Sequence, residues 1–320
     1  MTVLTQPEHG VTDAAAHAAR PPQPRGRRRR IRFGREQLWA IVIALPVVLI
    51  FLYFSWGPIV SGLVLSFQQT NFVQAADWVG WENFEYVLSD PLLPKAILNT
   101  LWYGLLCLVL GFPLPIILAV SMSELRARGG LYSVLAYLPV IFPPVVSILL
   151  WKVFFDPSST GLFNTVLGWF GLGPLPWLNA ADTAIPSLVL EATWAGAGTN
   201  VIIFLAALTG VRNDLYEAAE LDGAGIWRRI WHITLPQIRG IIVVLILLQV
   251  IGTAQVFSGP FLFTNGGPDN ATLTVLLLIY NYAFVSGDYG AATALSVLLA
   301  VVLALFAAVY NLATRKLGQD

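Results

Sequence analysis

A chain of 320 residues that is 57% hydrophobic and only 11% charged, with mean hydropathy +0.71, carries more apolar surface than one water-facing core can hide. That composition excludes an ordinary soluble domain and points to a bilayer as solvent. The formal net charge is zero, yet the positive charges are unevenly placed along the chain, and their placement sets an orientation.

Residues 1–36 are rich in Ala, Pro and Arg without an apolar period, which predicts a disordered basic cytoplasmic tail. Its arginines suit anionic lipid beside the apolar stretch that follows at once, so no nucleic-acid partner is expected. The charged region is too long, and the apolar segment too extended, for a cleaved signal peptide. Crossing about 30 Å of hydrocarbon at about 1.5 Å per residue takes roughly 20 apolar residues. Six stretches qualify, at residues 39–67, 96–120, 131–154, 186–211, 240–263 and 291–313, so residues 37–316 read as one all-α, polytopic, six-span domain. A shorter apolar run at 273–284 reads as an interfacial or re-entrant helix.

With both termini cytoplasmic, the eight arginines between Arg20 and Arg35 lie inside, together with Arg126, Arg128, Arg212, Arg228, Arg229, Arg239, Arg315 and Lys316. Only Lys95 and Lys152 are then left outside. An odd number of spans would put one basic terminus on the wrong side.

Residues 212–239 form the longest interior cytoplasmic loop of that topology, and their pattern is that of structure. Ala218 and Ala219 favour a helix, and Asp214, Glu217 and Glu220 suit the positive end of its dipole. Gly223 permits a sharp turn, after which Asp222 is placed to cap a second helix. In that helix Trp227, Ile230 and Trp231 recur at i, i+3 and i+4 as one apolar stripe, and Pro236 ends it or opens the next span. Two short helices bent at Gly223 fit a groove on another protein. An amphipathic linker lying on lipid headgroups is the alternative, against which the carboxylates count.

The chain lacks the residues of several chemistries. Cys107 is the only cysteine, so disulfides within the chain and thiolate clusters are excluded, and it reads as a packing residue. His9, His17 and His232 are too scattered for a metal site, and no Ser or Cys pairs with a His within the spans. The phosphate loop G-x-x-x-x-G-K-[ST] does not occur, so no Walker-type ATP hydrolysis is expected, and the chain is not read as an enzyme.

The segment resembles the EAA signature of permease subunits of binding-protein-dependent ABC importers. It supplies Glu217, Ala218 and Ala219, then Asp222, Gly223 and Ala224, then Ile233, Leu235 and Pro236. It departs from that pattern at Gly240, where a second proline is frequent, and at Ile230, where an aromatic is frequent. "VGWENFEYVLSDPLLPKAILNT" at 79–100, "EATWAGAGTNVIIFLAALTGV" at 191–211 and "FTNGGPDNAT" at 263–272 are similar to the carbohydrate-importer branch. The resemblance implies a multi-pass permease of the bacterial inner membrane, with a coupling helix between spans four and five seated on a separate ATPase. It further implies a homologous second permease chain, an ABC ATPase dimer that binds ATP and Mg, and an extracytoplasmic solute-binding protein. The last could dock on external acids such as Asp77, Glu82, Glu85, Asp90, Asp156, Asp182, Asp269 and Asp288.

Polar groups within spans are costly and therefore candidates for the substrate path. They are Asn99, Glu191, Asn200, Gln249, Thr253 and Gln255, with Trp194 as a platform for a sugar ring. Bonding between helices merely to satisfy one another is their alternative role. The leading rival function is import of another solute, a phosphorylated polyol or peptide, by the same architecture. An ion-coupled secondary transporter would need inverted repeats or midplane carboxylates that the spans do not display.

Overall fold

The computed structural model describes residues 35–71, 73, 75–124 and 129–315. Most of the basic tail, with His9 and His17, lies outside the described residues, as do Arg126, Arg128 and Lys316. The chain divides into two compact units after Trp56.

The first unit contributes α1 (Arg35–Phe51), which passes into a π turn at Leu52–Trp56. From Trp39 to Trp56 every side chain except Ser55 is exposed, and most are apolar. A helix that is apolar on all faces suits a lipid environment.

The second unit begins with α2 (Gly57–Leu65) and a minimal antiparallel ladder of β1 (Gln68–Gln69) and β2 (Asp77–Trp78). α3 (Glu82–Ser89) docks beneath it through Asn83, whose Nδ2 donates to the Ser66 and Gln68 carbonyls, both at 3.0 Å. α4 (Leu92–Leu106) and α5 (Pro113–Glu124) are joined by a π turn, and α6 (Gly129–Ile141) and α7 (Pro144–Phe154) follow. After α8 (Leu162–Gly168) comes the longest helix, α9 (Ala181–Thr209). Three short helices then form a bent segment: α10 (Asn213–Leu221), α11 (Ile226–Arg229) and α12 (Leu235–Gln237). The chain closes with α13 (Arg239–Ala254), α14 (Ser258–Thr264), α15 (Val275–Tyr280) and α16 (Tyr289–Thr314).

α9 is the axis of this unit, packing against α4, α5, α6 and α7. A Cβ on Gly198 would stand 2.3 Å from the Ala136 carbonyl oxygen and 3.0 Å from the Tyr137 Cα, so α6 and α9 meet backbone to backbone there. Small residues permit such approach where helices are not driven together by water. Around this axis lie three cores. One joins α4, α15 and α16 through Leu93, Ala96, Leu277, Leu278 and Leu295; a second joins α4, α7, α9 and α14 through Tyr103, Cys107, Trp151, Phe155 and Leu188; the third joins α5, α9 and α13 through Phe112, Val201, Phe204 and Leu245.

Among the described residues, four continuous helices are long and apolar enough to cross a membrane, Trp39–Leu65, Leu92–Ser123, Ala181–Thr209 and Tyr289–Thr314. Two bent pairs bring the number to six if each counts as one crossing. The structure thus corrects two of the six expected stretches. Residues 131–154 are not one helix but two, bent by 94° at Phe142–Pro143, because a proline pair removes amides and pushes the preceding residue out of the helical region. Residues 240–263 also break: α13 ends at Ala254, and Pro260, which could not continue it, sits in the first turn of α14. The expected start at 186 is early in α9 instead, since Pro186 is accommodated within a helix that begins at Ala181. The run at 273–284 is a short helix as expected, and it is largely buried between α4 and α16.

Gly198→Ala should cost about 1–3 kcal/mol, because backbone must move to admit a methyl group. Gly196→Ala, with nothing within 4 Å of its Cβ position, should be neutral or stabilising by up to about 1 kcal/mol. Thermal unfolding of the two purified variants checks the contrast.

Candidate functional site

Two helix breaks face a common cavity of about 460 Å³. The α6–α7 elbow supplies Phe142, Pro144 and Ser147, and the α13–α14 break supplies Gln255, Phe257 and Ser258. α9 closes the remaining wall with Glu191, and α4 reaches it with Tyr103. Irregular backbone at membrane depth is tolerated where it lines a cavity or is buried in protein, and both conditions are met here.

Glu191 is 6% exposed and accepts a hydrogen bond from Ser147 Oγ at 2.6 Å to Oε1. One helical turn along α9, Trp194 stacks on Phe142 at 6.4 Å with 29° between the rings, and meets Trp151 at 5.6 Å. The stack ties the elbow to α9 on the same side as the carboxyl group. Gln255 lines the cavity while its Nε2 donates to the Ile251 carbonyl at 3.2 Å, meeting one of the acceptors freed where α13 ends.

The other path candidates lie elsewhere. Asn99 spends its amide on the Asn270 and Leu273 carbonyls at 2.8 and 3.0 Å, holding the α14–α15 connection to α4. Thr253 faces Gly104, whose Cβ position is 3.2 Å from its Oγ1, at the α4–α13 contact. Asn200 and Gln249 are half-buried on α9 and α13 and do not line this cavity. Ser147, Tyr103, Phe142 and Ser258 were not among the sequence candidates. A lone serine within the apolar run of α7 was the available signal for Ser147, whereas the rings could not be told from packing residues.

The second constellation is the bent segment between α9 and α13. α10 stops where Gly223 turns through φ +72, a left-handed conformation that favours glycine. α11 begins three residues later at Ile226, with Gly225 as its cap, so the expected capping role of Asp222 is not realised. Asp222 instead ends α10, its amide donating to the Ala218 carbonyl. After Arg229 the helix widens into a π turn at Ile230–Thr234, and Pro236 lies within α12 without ending the run. The change of direction, 70°, comes at Ile238.

Side-chain contacts brace the two arms. Tyr216 and Thr234 hydroxyls pair at 3.0 Å, and Glu220 pairs with the largely buried Arg229. Arg212 clasps Asp214 at the start of α10, and the guanidinium's hydrogen bond holds that carboxyl below its ordinary value. Of the motif residues, Glu217, Ala218, Asp222, Gly223 and Pro236 are exposed, whereas Ala219, Ala224, Ile233 and Leu235 are partly covered. Trp227 and Trp231 stand 73% and 65% exposed, so the apolar stripe packs little within the chain. Glu217 and Glu220 also border a cavity of about 1150 Å³ that extends to the end of α9.

Residues 111–319 match the family described as binding-protein-dependent transport system inner membrane component. The diacetylchitobiose uptake system permease protein NgcF of Streptomyces coelicolor is 31% identical over 95% of this chain and 91% of its own length. A crystal structure of a bacterial ABC transporter involved in import of the acidic polysaccharide alginate is similar at a TM-score of 0.79 and 29% identity, over 89% of this chain and 98% of that one. The bacterial alginate ABC transporter in complex with an alginate pentasaccharide-bound periplasmic protein aligns at the same TM-score, 0.79, with 28% identity over 89% of this chain and 97% of that one.

Tyr216→Phe removes the hydroxyl that joins the two arms and should cost about 0.5–1.5 kcal/mol locally. Faster amide hydrogen exchange in residues 213–236, with the α4–α9 core unchanged, is the expected result.

Proposed function

This chain belongs to the family of inner membrane components of binding-protein-dependent transport systems, and on that premise we propose that it is the permease subunit of an ABC importer for oligosaccharides. The observation that carries the coupling role is the bent α10–α12 segment, with an acidic arm, an elbow at Gly223 and two exposed tryptophans on the other arm. A compact, braced projection with unpacked aromatic rings has the shape of an element seated in another protein's cleft. Closure of a partner ATPase dimer around ATP would displace it, and the movement would reach α9 and α13, the helices on either side.

Cargo then passes along the helices that surround Glu191, Trp194 and Gln255, with Asn200, Gln249 and Thr253 as further members of the path, whereas Asn99 holds the α14–α15 connection to α4. Both termini lie in the cytoplasm in this reading, following the basic residues. A homologous second permease chain completes the path, two ATPase subunits hold ATP and Mg, and an external solute-binding protein delivers the sugar. Relatives that handle diacetylchitobiose and alginate support a carbohydrate cargo. A phosphorylated polyol finds less support, because among the described residues no Lys or Arg lines the cavity between the helix breaks.

Proline cannot adopt φ +72, so Gly223→Pro should abolish uptake and weaken capture of the ATPase subunits by about 2 kcal/mol, or roughly thirty-fold. Glu217→Ala should reduce both to a smaller degree. Normal uptake and ATPase capture in Gly223→Pro would sink the coupling assignment.

A further inference from the structure

We propose that Glu191 sets the charge class of the cargo: the cavity takes uncharged sugars, with a hydroxyl donating to the second carboxyl oxygen of Glu191, and rejects sugars that carry carboxylates. The inference rests on the permease reading above and goes further, because the relatives differ on this point. One is associated with diacetylchitobiose, which is neutral, and another with an acidic polysaccharide.

Four observations carry it. The cavity volume, about 460 Å³, falls within the about 300–1,000 Å³ usual for small-molecule sites. Its polar lining consists of Tyr103, Ser147, Glu191, Gln255 and Ser258, with no Lys, Arg or His among the described residues that line it. Glu191 is buried and its Oε1 is occupied by the Ser147 hydroxyl at 2.6 Å, whereas Oε2 has no hydrogen-bond partner among the described residues. Finally, Phe142 lines the same cavity as Glu191, with Trp194 stacked against it from outside the lining, and an aromatic surface in a cavity that also holds a hydrogen-bond acceptor suits a sugar ring with its apolar face and hydroxyl edge.

A carboxylate in a cavity walled by low-dielectric side chains repels a second carboxylate and attracts cations. A uronate sugar in this cavity would meet Glu191 without a basic side chain in the lining to offset it. A neutral sugar meets only an acceptor.

Charge in the cavity can be read directly in the assembled transporter in membrane vesicles. With Cys107→Ser to remove the native thiol and Ser258→Cys as reporter, trimethylammonium-ethyl methanethiosulfonate should label about ten-fold faster than its sulfonato-ethyl counterpart, relative to a reporter on an external loop. Glu191→Gln, which keeps an acceptor for Ser147, should bring that ratio down to the loop value. Diacetylchitobiose should slow labelling of the parent reporter and trigalacturonate should not, whereas both should slow it in Glu191→Gln. Equal labelling by the two reagents in the parent reporter overturns the proposal without recourse to the Glu191 variant, as does equal protection by the two sugars. ATP hydrolysis stimulated by the binding protein, followed in the same vesicles, separates the two readings. Hydrolysis with no cation preference overturns the charge-class inference alone, and absence of hydrolysis in the wild-type complex overturns the permease reading beneath it.

Discussion

A break in a helix leaves carbonyls and amides that hydrocarbon cannot hydrate, so each must find a partner within the protein. The second unit is organised around this requirement. Where α13 stops, Gln255 turns its side-chain amide back to the Ile251 carbonyl, and Thr274 donates to the Val256 carbonyl at 3.0 Å. The Val275 amide opening α15 donates to Thr100 Oγ1 at 3.0 Å, and that hydroxyl donates to the Ala96 carbonyl at 2.7 Å. Asn99 and Lys95 serve the connection from the same face of α4, through the carbonyls of Asn270, Leu273 and Asp269. A short, polar-tipped connection can therefore be buried, with Thr272 and Thr274 almost fully enclosed.

These satisfied breaks create the cavity. Residues of both breaks line the pocket beside Glu191, and Trp194, stacked on Phe142 and in contact with Trp151, joins α9 to α6–α7 next to it. The same α9 ends at Thr209 next to the bent segment. One rigid helix thus connects the cavity wall to the arm that carries the family motif.

A hydroxyl pair and an ion pair are among the contacts that join the arms of the bent segment, and its tryptophans project outward. Its shape also follows from the backbone: the left-handed turn at Gly223, the π turn before Leu235 and the bend at Ile238. Each is a local conformation set by the chain itself.

Hydropathy alone was enough to determine the all-α class and where the long apolar helices lie, because hydrocarbon thickness imposes a minimum length on any helix that crosses it. The two-helix form of residues 213–229 was also legible, since glycine at the turn and the periodic Trp227, Ile230 and Trp231 are local signals. The breaks at Phe142–Pro143 and Gln255–Phe257 were not read, because an apolar run is equally apolar whether straight or bent, and a proline can be absorbed, as Pro186 is in α9. Nor could sequence separate Glu191 from Asn99: each is a polar group in an apolar stretch. Tertiary structure alone assigns Asn99 to backbone carbonyls of a distant loop and leaves one oxygen of Glu191 facing a cavity, because hydrogen-bond partners are decided by which helices meet.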